Sequence, residues 1–159
     1  MTSNSTNLYL QQSYDLLILV HPDTQVLDGI SNEIQDLGVA HLNISQELSA
    51  SLLSISAYER SRFSQKWLID SLGSFAHGPV LCMHPDLLFD PSFEIDPLVL
   101  FRQAARVIQL IALWSGEYSL DILSYAIPEH HHFRTWKISD SLFRQPVVKI
   151  LRISASKGV

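Results

Sequence analysis

The chain has 159 residues, of which 47% are hydrophobic and one is cysteine, and its formal net charge is −5. This length suits one globular domain, and a single cysteine excludes an intrachain disulfide framework. Residues 1–140 hold seven of the eleven basic residues and all sixteen acidic ones, and the resulting charge of −9 disfavours general DNA binding. The remaining cations, with no acid among them, are Arg144, Lys149, Arg152 and Lys157.

No apolar run approaches the roughly 18 to 20 residues that span a bilayer, and the polar start lacks the features of a signal peptide. Cys82 lies inside an apolar run, where it is expected to be a small buried side chain. We therefore expect a cytoplasmic protein without membrane contact. Residues 1–12 are predicted to be a flexible N-terminal arm and residues 13–159 a single α/β domain.

The first predicted unit is a strand, a loop and a helix. Tyr14–Val20 is almost entirely apolar, which is typical of a parallel strand covered on both faces. Gln25–Leu37 carries an apolar stripe at helical spacing, and Gly38 is a natural helix terminator. In nucleotide-binding proteins, a phosphate-binding loop connects such a strand to such a helix.

The loop itself does not have the residues of a phosphate-binding loop. Its sequence is His21, Pro22, Asp23, Thr24 and Gln25. A P-loop needs glycines, a lysine and a hydroxyl next to it, but this loop lacks glycine and lysine, and an aspartate lies where an anion would bind. Proline also removes one backbone N–H donor. The loop therefore predicts a nucleotide-binding scaffold that has lost its nucleotide.

A second strand is predicted at 39–44, followed by a short helix at 45–55. Ser56 and Glu59 have the spacing of a capping box, which predicts a longer helix from there to about residue 75. Its predicted core face consists of Phe63, Trp67, Leu68 and Leu72. The opposite side carries Arg60, Arg62 and Lys66, which are candidates for partner or nucleic-acid contacts, although a solvated helix face is the simpler interpretation.

The third predicted strand, 80–83, ends at His84. In a nucleotide hydrolase a Walker B acid would hold Mg²⁺ at this position, but neutral histidine is a poor ligand for Mg²⁺, and Asp86 comes two residues late. A helix is predicted at 98–106 and a fourth strand at 107–114, ending at Ser115 and Gly116. A short strand near Tyr125 and a final one at 147–153 follow. The alternation of strands and helices predicts a mostly parallel sheet of about five strands flanked by helices.

The histidines of the chain suggest two different arrangements. His130, His131 and His132 are consecutive, which favours a surface loop over a metal site, because neighbours in an extended chain point to opposite faces. Convergence of three strand histidines, His21, His41 and His84, is the alternative metal or catalytic cluster.

An acidic stretch punctuated by prolines comprises Asp86, Asp90, Glu94 and Asp96. Paired carboxylates can catalyse acid–base steps or bind a cation. A rigid surface loop is the favoured interpretation, with Asp96 capping a helix that begins at Pro97. No nucleophile motif accompanies Cys82 or any serine.

Three segments together suggest a family: PVLCMHPDLLFDPSFEIDPLVLF, VIQLIALWSG and YAIPEHHHFRTW. In order and spacing, the region from Tyr14 to about Trp136 resembles the BrxF component of type III BREX bacteriophage-exclusion systems, a family of small P-loop-containing proteins. The resemblance implies a P-loop NTPase-like (RecA/AAA-like) fold, with Walker A in the first loop, a Walker B acid after the third strand and a polar sensor after the fourth. By position these fall on residues 21–25, on His84 and on Ser115. Both Walker motifs are degenerate in this sequence.

The leading hypothesis is a non-catalytic accessory or scaffolding subunit of a bacterial anti-phage assembly, acting through protein–protein contacts and possessing no cofactor or metal. Homo-oligomerisation is compatible with this role. One alternative is a nucleotide sensor or hydrolase that binds ATP or GTP with Mg²⁺ through non-standard ligands: His21, Thr24, Asp86 and Ser115. Another is a nucleic-acid adaptor that uses the helix cations and the basic C-terminal segment.

Overall fold

The structure, a computed structural model, describes residues 10–11, 13–139 and 146–154. In this part of the chain the strands are β1 (Leu16–His21), β2 (Ala40–Asn43), β3 (Val80–Met83), β4 (Leu110–Ser119), β5 (Ile122–Tyr125), β6 (Arg134–Lys137) and β7 (Val148–Arg152). The helices are α1 (Thr24–Asp36), α2 (Ile44–Ser51), α3 (Arg60–Gly73) and α4 (Pro97–Ala104). Short 3₁₀ segments lie at Leu52–Ser54, Ala57–Glu59, Pro85–Phe89 and Pro91–Phe93.

All strands belong to one seven-stranded, mostly parallel sheet. Its parallel part has the order β2-β3-β4-β1-β7, while β5 pairs antiparallel with the end of β4, and β6 pairs antiparallel with β5. The predicted α/β architecture, a mostly parallel sheet with flanking helices, is confirmed. The sheet has seven strands where about five were predicted, and β6 is the strand that the sequence patterns missed.

The two faces of the sheet are covered unequally. On one face, α1 packs Leu27 and Ile34 against apolar side chains of β1, β3 and β4. The other face supports a larger core that includes α2, α3, α4 and three of the 3₁₀ segments, Leu52–Ser54, Pro85–Phe89 and Pro91–Phe93. Because both faces are covered, the central strands are apolar along their length, and β1 is fully buried from Leu16 to Leu19.

The fourth strand differs from the prediction. It begins at Leu110 rather than residue 107, because the segment before it continues the last turn of α4, with the N–H groups of Val107 and Ile108 donating to the carbonyl of Ala104. It also continues past Gly116 to Ser119 instead of ending there. Gly116 permits this because β5 passes so close that a Cβ atom would lie 1.9 Å from the carbonyl oxygen of Ser124.

Helix starts follow the sequence signals with one correction. The Asp96 carboxylate accepts hydrogen bonds from the N–H groups of Leu98 and Val99, at 3.1 and 3.2 Å, so the predicted cap of α4 is confirmed. At the predicted capping box, the Ser56 hydroxyl instead donates to the Glu59 carboxylate at 2.7 Å, and α3 begins only after a 3₁₀ turn. On α3, as predicted, Leu68 and Leu72 are fully buried, and Phe63 and Trp67 pack at the edge of the core.

Of the predicted N-terminal arm, only residues 10 and 11 are described, and Arg144 and Lys157 lie outside the described residues. Within the described ranges, no helix has the length and apolar character needed to cross a membrane.

Candidate functional site

The carboxyl ends of three neighbouring strands bring the predicted site positions together. His21 ends β1, His84 follows β3, and Ser115 lies on β4 directly opposite His21 in the parallel register. Thr24, His84, Asp86 and Ser115 line one small pocket between α1 and the sheet. Its volume is about 30 Å³, and Thr24, Asp86 and Ser115 also line a much larger neighbouring concavity.

The loop between β1 and α1 consists of only Pro22 and Asp23, and its hydrogen bonds are already satisfied from within. The Asp23 carboxylate accepts from the N–H of Gln25 at 2.8 Å, and the Asp23 carbonyl accepts from the N–H groups of Val26 and Leu27. The N–H of Asp23 itself donates to Nδ1 of His21 at 2.9 Å. The N–H groups of Asp23 and Gln25 would be donors to a phosphate at a helix N-terminus, and in this loop they donate to its own side chains instead.

His84 is held in an unusual backbone conformation by its neighbours. Its φ of +50° is left-handed, which costs a non-glycine residue about 1 kcal/mol. Ser45, at the start of α2, compensates with two bonds to the His84 carbonyl, from its hydroxyl at 2.5 Å and its N–H at 3.0 Å. The His84 Nε2 atom lies 3.8 Å from a carboxylate oxygen of Asp28 on α1.

Asp86 has a partner that makes it an ordered part of the site. The hydroxyl of Tyr125, at the end of β5, donates to its Oδ1 atom at 2.8 Å. Burial, followed by the charge of Asp86 and this hydrogen bond, raises the pKa of Tyr125, so the phenol keeps its proton and remains a donor. The ring of Tyr125 stacks on that of Phe89, with the ring centroids 3.7 Å apart. This contact packs the segment after β3 against β5.

An aromatic cluster holds the β5–β6 extension rigidly against the rest of the site. Phe89 contacts Trp114 edge-to-face with the ring centroids 4.9 Å apart, and Trp114 contacts Trp136 in the same way with the centroids 5.2 Å apart. The indole N–H of Trp136 donates to the Asp96 carboxylate at 3.0 Å, and Arg134 lies over its ring at 5.0 Å. Edge-to-face contacts of this kind stabilise a fold beyond simple area burial.

The sequence analysis missed Ser45 and Tyr125 as site residues. Both act through contacts between segments about 40 residues apart, and no local spacing signals such contacts. The sequence predicted only a short strand near Tyr125, and in the structure Leu123 and Tyr125 lie on the buried face of that strand.

The histidines do not form a metal centre within the described part of the chain. His41 lies on β2, three strand spacings or about 14 Å from β1. The alternative interpretation, in which His21, His41 and His84 converge, is therefore wrong. His130 and His132 are neighbours in the turn before β6, with ring centroids 5.3 Å apart. Among the described residues, no three His, Cys, Asp or Glu side chains are placed to hold a metal ion.

The acidic stretch is an ordered loop built from 3₁₀ segments, in agreement with the favoured interpretation. Asp90 caps the second of them by accepting from the N–H and hydroxyl of Ser92, at 2.9 and 2.8 Å. These hydrogen bonds, the backbone bond first, together with the neighbouring His132, hold the pKa of Asp90 below its ordinary value. Asp90 is therefore ionised at neutral pH.

The candidate cations on α3 are mostly engaged within the protein. The Arg60 side chain donates to the carbonyl of Ile55 at 3.3 Å, and Lys66 pairs with Asp70 at 2.7 Å. Arg62 is exposed beside Tyr58. At the other end of the sheet, Lys149 and Arg152 are exposed on β7. The structure therefore does not gather these cations into one basic surface.

Comparison of the chain with protein-family models, with curated proteins and with solved structures found no match.

Proposed function

We propose that this protein is a non-catalytic, P-loop-like accessory subunit that works through protein contacts, in a bacterial anti-phage assembly of the BREX type. The family resemblance expects the first, third and fourth strand ends to meet at one site. The adjacency of β3, β4 and β1 supports this expectation, since it places His84, Ser115 and His21 at the same edge of the sheet.

The observation that carries the non-catalytic part is the closed loop after β1. A nucleotide triphosphate is bound at such a position by free backbone N–H groups and a lysine. In this loop the N–H groups of Asp23, Gln25, Val26 and Leu27 already donate to groups of the same segment. Phosphate binding would require breaking these bonds and placing an anion against the Asp23 carboxylate, which is unfavourable for both reasons.

The position of the Walker B acid supports the same conclusion. Asp86 does not directly follow β3, and its Oδ1 atom accepts a hydrogen bond from the Tyr125 hydroxyl. The loop after β1 also has no lysine to bind a phosphate that would share the coordination of Mg²⁺. We therefore assign these positions a structural role at the sheet edge.

Calorimetric titration of the pure protein at about 100 µM with ATP, ADP and GTP in Mg²⁺ buffer tests the non-catalytic part. We expect no saturable heat, which excludes affinities much tighter than that concentration. Saturable binding, or hydrolysis abolished by Thr24→Ala but retained by the matched change Thr135→Ala on exposed β6, would refute it. In that case the nucleotide-sensor alternative would replace this proposal.

The assembly part needs a separate experiment. Co-expression with the other components of a type III BREX system, followed by size-exclusion chromatography, should recover the chain in a complex with at least one of them. Elution only as the free protein in every pairwise combination would refute the proposed partnership.

A further inference from the structure

A much larger concavity adjoins the small pocket and shares Thr24, Asp86 and Ser115 with it. This edge groove, with a volume of about 810 Å³, lies between the loop after β1, the start of α2, the 3₁₀ segment after β3 and the turn before β6. Part of its surface is apolar, contributed by Leu87, Tyr125, Ala126 and Ile127. Ile127 is 52% exposed, so the groove presents apolar surface to solvent.

The groove is lined by two carboxylates and two imidazoles. Among the described residues that line it, Asp86 and Asp90 are carboxylates, His130 and His132 are histidines, and none is lysine or arginine. With histidine counted as neutral at pH 7, the formal charge of this lining is negative. Each carboxylate is positioned through its Oδ1 atom, Asp86 by the Tyr125 hydroxyl and Asp90 by Ser92. No described residue donates a hydrogen bond to either Oδ2 atom, so each retains acceptor capacity for a ligand.

Helix dipoles do not reverse this balance. The N-termini of α1 and α2 lie at the same edge, and each contributes about half a positive charge. One amide in the first turn of each helix already donates to a capping side chain, Gln25 to Asp23 and Gln46 to Asn43, whereas the two groove carboxylates carry full negative charges. The field in the groove therefore favours a cation and opposes a phosphate or an acidic peptide.

We infer that the edge groove binds an arginine- or lysine-bearing segment of a partner protein. The aliphatic stem of the basic side chain packs along Leu87 and Ile127, and its charged head is bound by Asp86 and Asp90, as amphipathic side chains commonly divide between apolar and polar surroundings. Charge complementarity and exposed apolar surface together select this occupant. The inference deepens the proposed function and rests on its claim that the protein works through protein contacts.

The test is an amide NMR titration of the full chain with the blocked peptide acetyl-Arg-Ala-Arg-amide. We expect saturable shifts at Leu87, Ala126 and Ile127. The double change Asp86→Asn and Asp90→Asn keeps the shape and the acceptor oxygens but removes both charges. It should weaken binding about fivefold, the effect of losing two exposed ion pairs. The matched control, Asp36→Asn with Asp121→Asn, changes the net charge equally at exposed positions outside the groove.

Three outcomes of the peptide titration would overturn the inference. They are the absence of saturable shifts up to about 10 mM peptide, equal weakening in the control variant, and equal binding of the uncharged citrulline analogue of the peptide. Self-association of the protein that the groove variant abolishes would assign the groove to a second copy and also overturn it. If the peptide does not bind and the calorimetric titration with nucleotides gives no saturable heat, the proposed function still stands. Binding of ATP would refute that function independently of the peptide result.

Discussion

Replacing Gly116 by alanine tests the geometry that joins the parallel sheet to its antiparallel extension. The added Cβ would lie 1.9 Å from the Ser124 carbonyl oxygen and 2.8 Å from its carbon. Ordinary contact begins near 3.4 Å, so β5 would have to move by about 1.5 Å. That carbonyl also accepts the indole N–H of Trp114 at 2.9 Å, so the movement disrupts the aromatic cluster as well. Overpacking and a lost hydrogen bond together should lower the free energy of unfolding by about 3 kcal/mol or more.

Gly29→Ala is the matched control because it makes the same chemical change inside α1, where nothing lies within 4 Å of the new Cβ. Alanine should stabilise this exposed helical position by about 0.5 to 1 kcal/mol. Urea unfolding followed by tryptophan fluorescence measures both variants. A Gly116→Ala protein within about 1 kcal/mol of the wild type, at an unchanged denaturant slope, would refute the proposed steric role of this position.

The remaining predictions concern the cap, the core and pH. Asp23→Ala removes the α1 cap and should cost about 1 kcal/mol in urea, whereas Asp23→Asn keeps an accepting oxygen and should cost less; equal losses would contradict the capping role. Phe89→Ala should cost about 3 to 5 kcal/mol because the ring is fully buried against Tyr125, and a loss below about 1 kcal/mol would show that the cluster repacks freely. Burial raises the pKa of Cys82 from 9.0 to about 12, so the folded thiol keeps its proton at pH values where the unfolded thiol loses it. The contribution of the protonated thiol to the free energy of unfolding is complete below about pH 9 and is lost as pH rises toward 12. In urea unfolding measured from about pH 8 to 11, Cys82→Ala should therefore flatten the decline in stability. An unchanged decline would contradict the assignment.

Local patterns identified most of the parallel sheet and its helices. Apolar runs located β1 and β3 to within a residue or two, because strands buried on both faces leave no polar positions. Gly38, with a φ of +86°, ended α1 where predicted, since a helix terminus favours a left-handed residue without a side chain. The β4 extension and β6 were not predicted. Half of β6 is exposed, and its polar residues resemble those of a loop.

The candidate site was predictable only in part. That His21, His84 and Ser115 lie at strand ends follows from the sequence, because carboxyl ends of parallel strands meet at one edge. The contact of Tyr125 with Asp86 could not be predicted, because it depends on how the β4 extension folds back over the 3₁₀ segment after β3.

The sequence alone determined the α/β architecture and the absence of glycine and lysine from the loop after β1, since apolar periodicity and loop composition are local properties. The tertiary structure decided which strands are neighbours, and therefore that the predicted site residues Thr24, Asp86 and Ser115 line both a small pocket and a large groove at one edge of the sheet. Strand order and the packing of the β5–β6 extension arise from contacts between distant segments, and the free energy of those contacts is not encoded in any local spacing of residues.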